Sequence, residues 1–115
     1  MEKDLEQRTK WFSLAVIKFT GSLPRTREAE ILSRQLLRSA TSIGANYREA
    51  NRGVSRADFA NKIGIVQKEA AETQYWIELL IESGISADAA ASDLYEESSE
   101  LLAIFTATGR KLKED

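Results

Sequence analysis

Residues 55–80 read Ser55-Arg56-Ala57-Asp58-Phe59-Ala60-Asn61-Lys62-Ile63-Gly64-Ile65-Val66-Gln67-Lys68-Glu69-Ala70-Ala71-Glu72-Thr73-Gln74-Tyr75-Trp76-Ile77-Glu78-Leu79-Leu80. Within it Phe59, Ile63, Val66, Ala70, Thr73, Ile77 and Leu80 recur at alternating steps of four and three. On an α-helix that spacing puts all of them on one face, and no strand-like alternation competes with it. Ser55 with Asp58 forms a capping box at the start. Gly84 follows the end, where a left-handed residue commonly closes a helix. The stretch predicts one long amphipathic helix and sets the fold class as all-α.

The same pattern extends on both sides. Breaks at Gly21–Thr26, around the single proline Pro24, at Asn51–Ser55 and at Ser83–Ser86 divide the chain into four segments. The first carries Leu5, Thr9, Phe12, Val16, Phe19 and Leu23 on one face. The second carries Leu32, Leu36, Ser39, Ile43, Tyr47 and Ala50. The fourth carries Ala87, Ala91, Leu94, Ser98, Leu101, Phe105, Thr108 and Leu112. Thr26 and Ser86 stand at helix starts with acidic residues in the first turn, and Gly53 stands at a helix end. Segments two to four are each roughly 25 residues, about 37 Å of helix. Long helices joined by short loops pack antiparallel. The expected architecture is an up-down-up-down four-helix bundle, with residues 1–115 as one domain.

The chain has 115 residues, 43% of them hydrophobic and 30% charged, with no cysteine and no histidine. These absences remove disulfides, thiolate nucleophiles, imidazole bases and the usual metal ligands. No catalytic residue, cofactor site or small-molecule substrate is expected, and the protein is read as not an enzyme. The one carboxylate alternative is a metal site on Glu69 and Glu72, which lie one turn apart. Carboxylate-bridged metals in bundles also use Glu-x-x-His, which this chain cannot supply, so no metal is expected. The charged start, Met1 to Glu6, has no apolar signal region, and no apolar stretch is long enough to span a membrane. A cytoplasmic protein without membrane contact is expected.

In an antiparallel hairpin of segments two and three, facing residues have numbers summing to about 108. This places Gly44 level with Gly64, and the pair is expected to allow close backbone approach or to make room for a bulky neighbour. It also places Arg38 and Ser39 near Glu69 and Glu72, Asn46 near Lys62, and Glu49 near Lys62 or Asp58. Gln35, Ser42, Asn46 and Glu49 flank the apolar stripe as a half-buried polar layer. Tyr47, Tyr75 and Trp76 are expected to be packed and not to form a base-stacking platform.

The net charge of -2 is unevenly spread. Residues 25–56 hold seven arginines and three glutamates, giving +4, whereas residues 57–115 give -7. Arg34, Arg38, Arg48 and Arg52 fall within about 80° on the face of segment two opposite its apolar stripe. With Arg25, Arg27 and Arg56 they are candidates for phosphate contact, for pairing with acidic groups of another subunit, or for a face that is simply solvated. Trp11, Leu14 and Ile17 in segment one lie off the stripes. So do Ile31 and Leu37 in segment two, and Ile65, Trp76, Leu79 and Ile81 in segment three. That is more apolar surface than one bundle absorbs, and it predicts a homo-oligomer.

The run from Gln35 to Ala50, together with Ala57-Asp58-Phe59, Lys62 and Lys68 to Leu80, resembles the bacterial four-helix bundle proteins, also called 23S rRNA intervening-sequence proteins. Asp4-Leu5, Phe12 and Leu23-Pro24 fit the same pattern, and segment four matches least. The resemblance implies an antiparallel bundle in a ring-like homopentamer, and an association with ribosomal RNA or a ribonucleoprotein. A related branch comprises the nucleic-acid-binding accessory proteins of diversity-generating retroelements. Those are basic, unlike this slightly acidic chain. Arg38, Ser39, Ser42, Asn46, Glu49, Glu69, Glu72, Tyr75 and Trp76 match the family pattern, which gives them no catalytic role and implies bundle and interface roles. Apart from the resemblance, a protein-interaction adaptor presenting the acidic fourth helix is the second functional expectation.

Overall fold

Two of the helix starts are closed by the predicted caps. The Thr26 hydroxyl accepts the Ala29 N–H at 3.2 Å, and the Ser55 hydroxyl accepts the Asp58 N–H at 3.1 Å. Asp58 reaches back to the Val54 N–H at 3.3 Å, completing the box one residue earlier than its usual position. The computed structural model describes residues 4–114, in which four helices and no strand are found. They are α1 (Leu5–Gly21), α2 (Arg27–Ala50), α3 (Arg56–Glu82) and α4 (Ala89–Glu114).

Each helix packs on its sequence neighbours and α1 closes against α4, while the backbones of the diagonal pairs, α1 with α3 and α2 with α4, do not approach closely. The fold is therefore an antiparallel up-down-up-down four-helix bundle. It measures 46 × 23 × 21 Å. Leu36, Ile43, Ile63, Val66, Ile77, Leu80, Leu101 and Phe105 are completely buried along its axis. The Tyr47 ring meets Phe105 edge-on at 5.2 Å. Each helix also carries one buried hydroxyl in its stripe: Thr9, Ser39, Thr73 and Ser98. Every one donates to a main-chain carbonyl three or four residues earlier, so each is satisfied within its own helix.

Several local expectations are corrected. Helix four starts at Ala89, not directly after Ser86, because two side chains share the turn. Ser86 accepts the Asp88 N–H at 3.4 Å and Asp88 accepts the Ala90 N–H at 3.3 Å. Gly84 is left-handed, at φ 82°, but Gly53 is not. Gly53 instead makes room for Asp58: a Cβ there would lie 3.1 Å from the Asp58 Cβ. Near the end of α4 the core position falls on Gly109 and not on Thr108. A straight helix drifts by about 20° per heptad from a strict seven-residue repeat, so the stripe moves on by one residue.

Gly44 and Gly64 do not face each other. Gly44 faces α1, where a Cβ would lie 3.3 Å from Thr9 Oγ1 and 3.5 Å from the Thr9 main-chain carbon. Gly64 is exposed, with nothing within 4 Å of the Cβ it lacks. The expected facing fails because α2 turns Gly44 toward its other neighbour, α1.

Candidate functional site

The polar residues singled out in α2 and α3 form one seam. Arg38 donates to Glu69 Oε1 at 3.2 Å and also pairs with Glu72. Glu72 in turn accepts the indole N–H of Trp76 at 3.0 Å, and the Tyr75 ring meets Trp76 edge-on at 5.1 Å. One turn inward, the buried Thr73 and Ser39 hydroxyls meet at 2.9 Å. Lys62 donates to Glu49 at 2.7 Å. Arg38, Ser39, Glu49, Glu69, Glu72, Tyr75 and Trp76 are thus brought together along one face, close to the predicted register. Two expectations fail there. Asn46 donates to the Ser42 carbonyl at 2.9 Å instead of meeting Lys62, and Ser42 bonds the Arg38 carbonyl at 2.7 Å. Tyr75 is not packed but 52% exposed, an aromatic on the surface.

The arginines of α2 do not form one open stripe. Arg38 is turned toward α3. Arg48 and Arg52 converge on Glu6 of α1, at 3.8 and 3.0 Å. Asn51 adds a hydrogen bond to the same carboxylate at 2.8 Å. That bond, followed by the Arg52 contact, holds the Glu6 carboxyl below the usual carboxylate range. Arg56 donates to the Leu112 carbonyl at 3.3 Å. Arg34 is exposed and has no acidic partner among the described residues. Sequence reasoning missed Glu6, because a charge partner across two helices carries no spacing signal.

Glu69 and Glu72 are committed to Arg38 and Trp76, which is the chemistry of a structural ion pair and not of an open ligand pair. Among the described residues no three His, Cys, Asp or Glu side chains gather into a metal-holding group.

A second surface lies on the opposite side, between α1 and α4. Arg8 binds Glu97 through two bonds of 2.7 and 2.9 Å and reaches Glu100 at 2.7 Å, tying the two helices at one level. Beyond that tie the helices leave a groove of about 630 Å³. Its floor is Phe12, Phe19 and Leu94, its wall is Trp11, and Lys18, Asp88 and Asp93 stand at its rim. Trp11 is 62% exposed, and Leu14 and Ile17 are about half exposed on the outer side of α1. Ile31 and Ile65 are also exposed, whereas Leu37, Trp76, Leu79 and Ile81 are half-buried. The off-stripe apolar residues are therefore only partly absorbed by the bundle. Among the described residues no helix is long and apolar enough to cross a membrane.

The family model for the 23S rRNA-intervening sequence protein matches residues 2–107. A solved structure of a protein of unknown function from the S23 ribosomal protein family of Bacteroides thetaiotaomicron VPI-5482 is similar, with 36% identity and a TM-score of 0.83. The match covers 90% of this chain and 96% of that one. No curated protein matches the chain.

Proposed function

The chain belongs to the 23S rRNA-intervening sequence protein family, and on that premise we propose that it is a cytoplasmic, non-enzymatic scaffold that works as a homo-oligomer. The observation that carries this reading is the uncovered apolar surface: Trp11, Leu14 and Ile17 on α1, Ile31 on α2, and Ile65 and Tyr75 on α3 are all exposed. Apolar surface rimmed by charge marks an interface more often than it marks idle surface. A ring of five is the form that the family resemblance implies. Light scattering at micromolar concentration tests the reading: a mass several times 12.9 kDa is expected, and a 12.9 kDa particle overturns it.

The family's name supports RNA, or a ribonucleoprotein, as the partner of such an assembly. The contacts would be phosphate contacts from Arg34, Arg48 and Arg52 on the outer face of α2, multiplied by the number of copies. Arg38 is turned to Glu69 and Glu72, and Arg48 and Arg52 share Glu6, so phosphate would compete with those carboxylates, and Arg34 is the member of the set with no acidic partner among the described residues. Binding of 23S rRNA fragments should weaken steeply between low and physiological salt, and should fall when Arg34, Arg48 and Arg52 become glutamine. A flat salt response or undiminished binding by the variant would leave a protein-interaction adaptor as the surviving reading.

A further inference from the structure

We infer that the trough between α1 and α2 is a phosphate-binding site, clamped by Lys10 on one wall and Arg48 on the other. This deepens the RNA reading above, on which the identity of its ligand rests. It gives the phosphate a seat and brings in α1, which that reading does not use.

The trough lies beside the close approach of Gly44 to Thr9 and encloses about 370 Å³. That is within the roughly 300–1,000 Å³ of small-ligand sites. Lys10 and Ser13 line it from α1, and Arg48 lines it from α2. Between them Gly44 and Ala45 offer nothing larger than a methyl group, so a ligand can come close to the α2 backbone.

Two carboxylates also line the trough, and both are held by other cations. Glu49 accepts Lys62 at 2.7 Å. Glu6 accepts Asn51 at 2.8 Å and Arg52 at 3.0 Å, whereas Arg48 Nε stands off at 3.8 Å. Lys10 is exposed and has no carboxylate partner among the described residues, although Glu6 lies one turn before it. With Lys62 and Arg52 the cluster holds four cations against two carboxylates. The two cations least engaged, Lys10 and Arg48, are the two that line the trough. A phosphate seated between them offsets the surplus charge without displacing the shorter Glu6–Arg52 and Glu49–Lys62 contacts.

The donors suit a phosphate. A guanidinium fork matches two phosphate oxygens, and a lysine ammonium adds a point charge. The Ser13 hydroxyl makes a long bond of 3.2 Å to the Thr9 carbonyl and can turn to donate to an anion instead. No aromatic side chain lines the trough, so it holds a phosphate without stacking a base. Contacts of that kind position a strand and do not read its sequence.

Lys10→Gln removes one clamp, and Ala45→Glu adds a third carboxylate to the trough, both at exposed positions. Lys18→Gln is the control, because it removes the same charge from the same helix but lines the α1–α4 groove. Circular dichroism checks that helicity is kept. With a labelled single-stranded RNA oligonucleotide, Lys10→Gln should reduce the slope of log affinity against log salt by about 0.7, the share of one phosphate contact. Lys10→Arg should keep the wild-type slope, Ala45→Glu should weaken binding further, and Lys18→Gln should match the wild type. Inorganic phosphate, titrated at constant ionic strength, should shift the amide resonances of Ser13 and Gly44 in the wild type and not in Ala45→Glu. If Lys10→Gln binds RNA as the wild type does, or Lys18→Gln is equally impaired, the trough is not the seat, while RNA binding through the α2 arginines stands. If phosphate shifts those resonances and no RNA binds, the site stands with a free phosphorylated ligand and the RNA reading falls. If neither phosphate nor RNA binds, both fall.

Discussion

Gly44 of α2 lies against Thr9 of α1, so closely that a Cβ on the glycine would stand 3.3 Å from the threonine hydroxyl oxygen. Thr9 is completely buried and its hydroxyl is held by the Leu5 carbonyl at 2.9 Å, so it cannot give way cheaply. Gly64 has open space around it. The same substitution should therefore have different outcomes. Gly64→Ala should stabilise by about 0.5–1 kcal/mol, the helix-propensity gain of alanine over glycine. Gly44→Ala should lose that gain to crowding and come out neutral or destabilising. Thermal melts of the two variants against wild type check this, and equal gains would refute it.

Ser39 and Thr73 should tolerate loss of a hydroxyl better than gain of volume. In Ser39→Ala the Thr73 hydroxyl still has the Glu69 carbonyl at 2.8 Å, so no buried donor is orphaned. A cost of about 1 kcal/mol is expected, the net worth of one ordinary hydrogen bond. Ser39→Leu inserts extra methyl groups at a fully buried site and should cost about 1–3 kcal/mol. Urea titration separates the two.

Glu6 ties the start of α1 to the end of α2, and its folded carboxyl is depressed by Asn51 and Arg52. A depressed carboxyl contributes stability that is fully present above its unfolded value of about 4.3 and is lost as pH falls through the lower folded value. Glu6→Gln should therefore flatten part of the acid limb of the stability–pH curve and leave the slope at neutral pH unchanged. An identical acid limb in the variant would count against the contact.

Arg8 makes the principal charged tie across the α1–α4 side. Arg8→Met keeps the aliphatic stem and should cost about 1 kcal/mol, since the pair is one-third exposed and screened by solvent. The loss should shrink at high salt. Hydrogen exchange of α1 amides should rise more than that of α3 amides. A uniform rise would mean that the tie is not local.

Glu72→Leu should affect Trp76 more than Glu72→Gln does. The glutamine keeps an acceptor for the half-buried indole N–H and loses only the ion pair with Arg38, worth less than about 1 kcal/mol. In a Trp11→Phe background the emission reports Trp76 alone, because the chain has two tryptophans. Leucine should shift that emission and glutamine should not.

The fold was legible because every helix repeats its apolar residues at helical spacing and starts or stops on residues with a local physical reason. Phe59 to Leu80, the caps at Thr26 and Ser55 and the left-handed Gly84 are all local facts, and local facts survive translation into three dimensions. The hairpin register carried the candidate seam as well, since antiparallel neighbours joined by a short loop have little freedom to slide. It put Arg38 beside Glu69 and Glu72, and Glu49 beside Lys62. Rotation about each helix axis is what the sequence left open. Only packing decided that Gly44 turns to Thr9 and that Arg48 and Arg52 turn to Glu6. Only packing left Tyr75 outside while Trp76 is half covered. The α1–α4 groove was equally invisible, because it is a gap between elements far apart in the chain, and its depth depends on how closely two helices approach. Periodicity determined which residues share a face; the tertiary structure decided what each face meets.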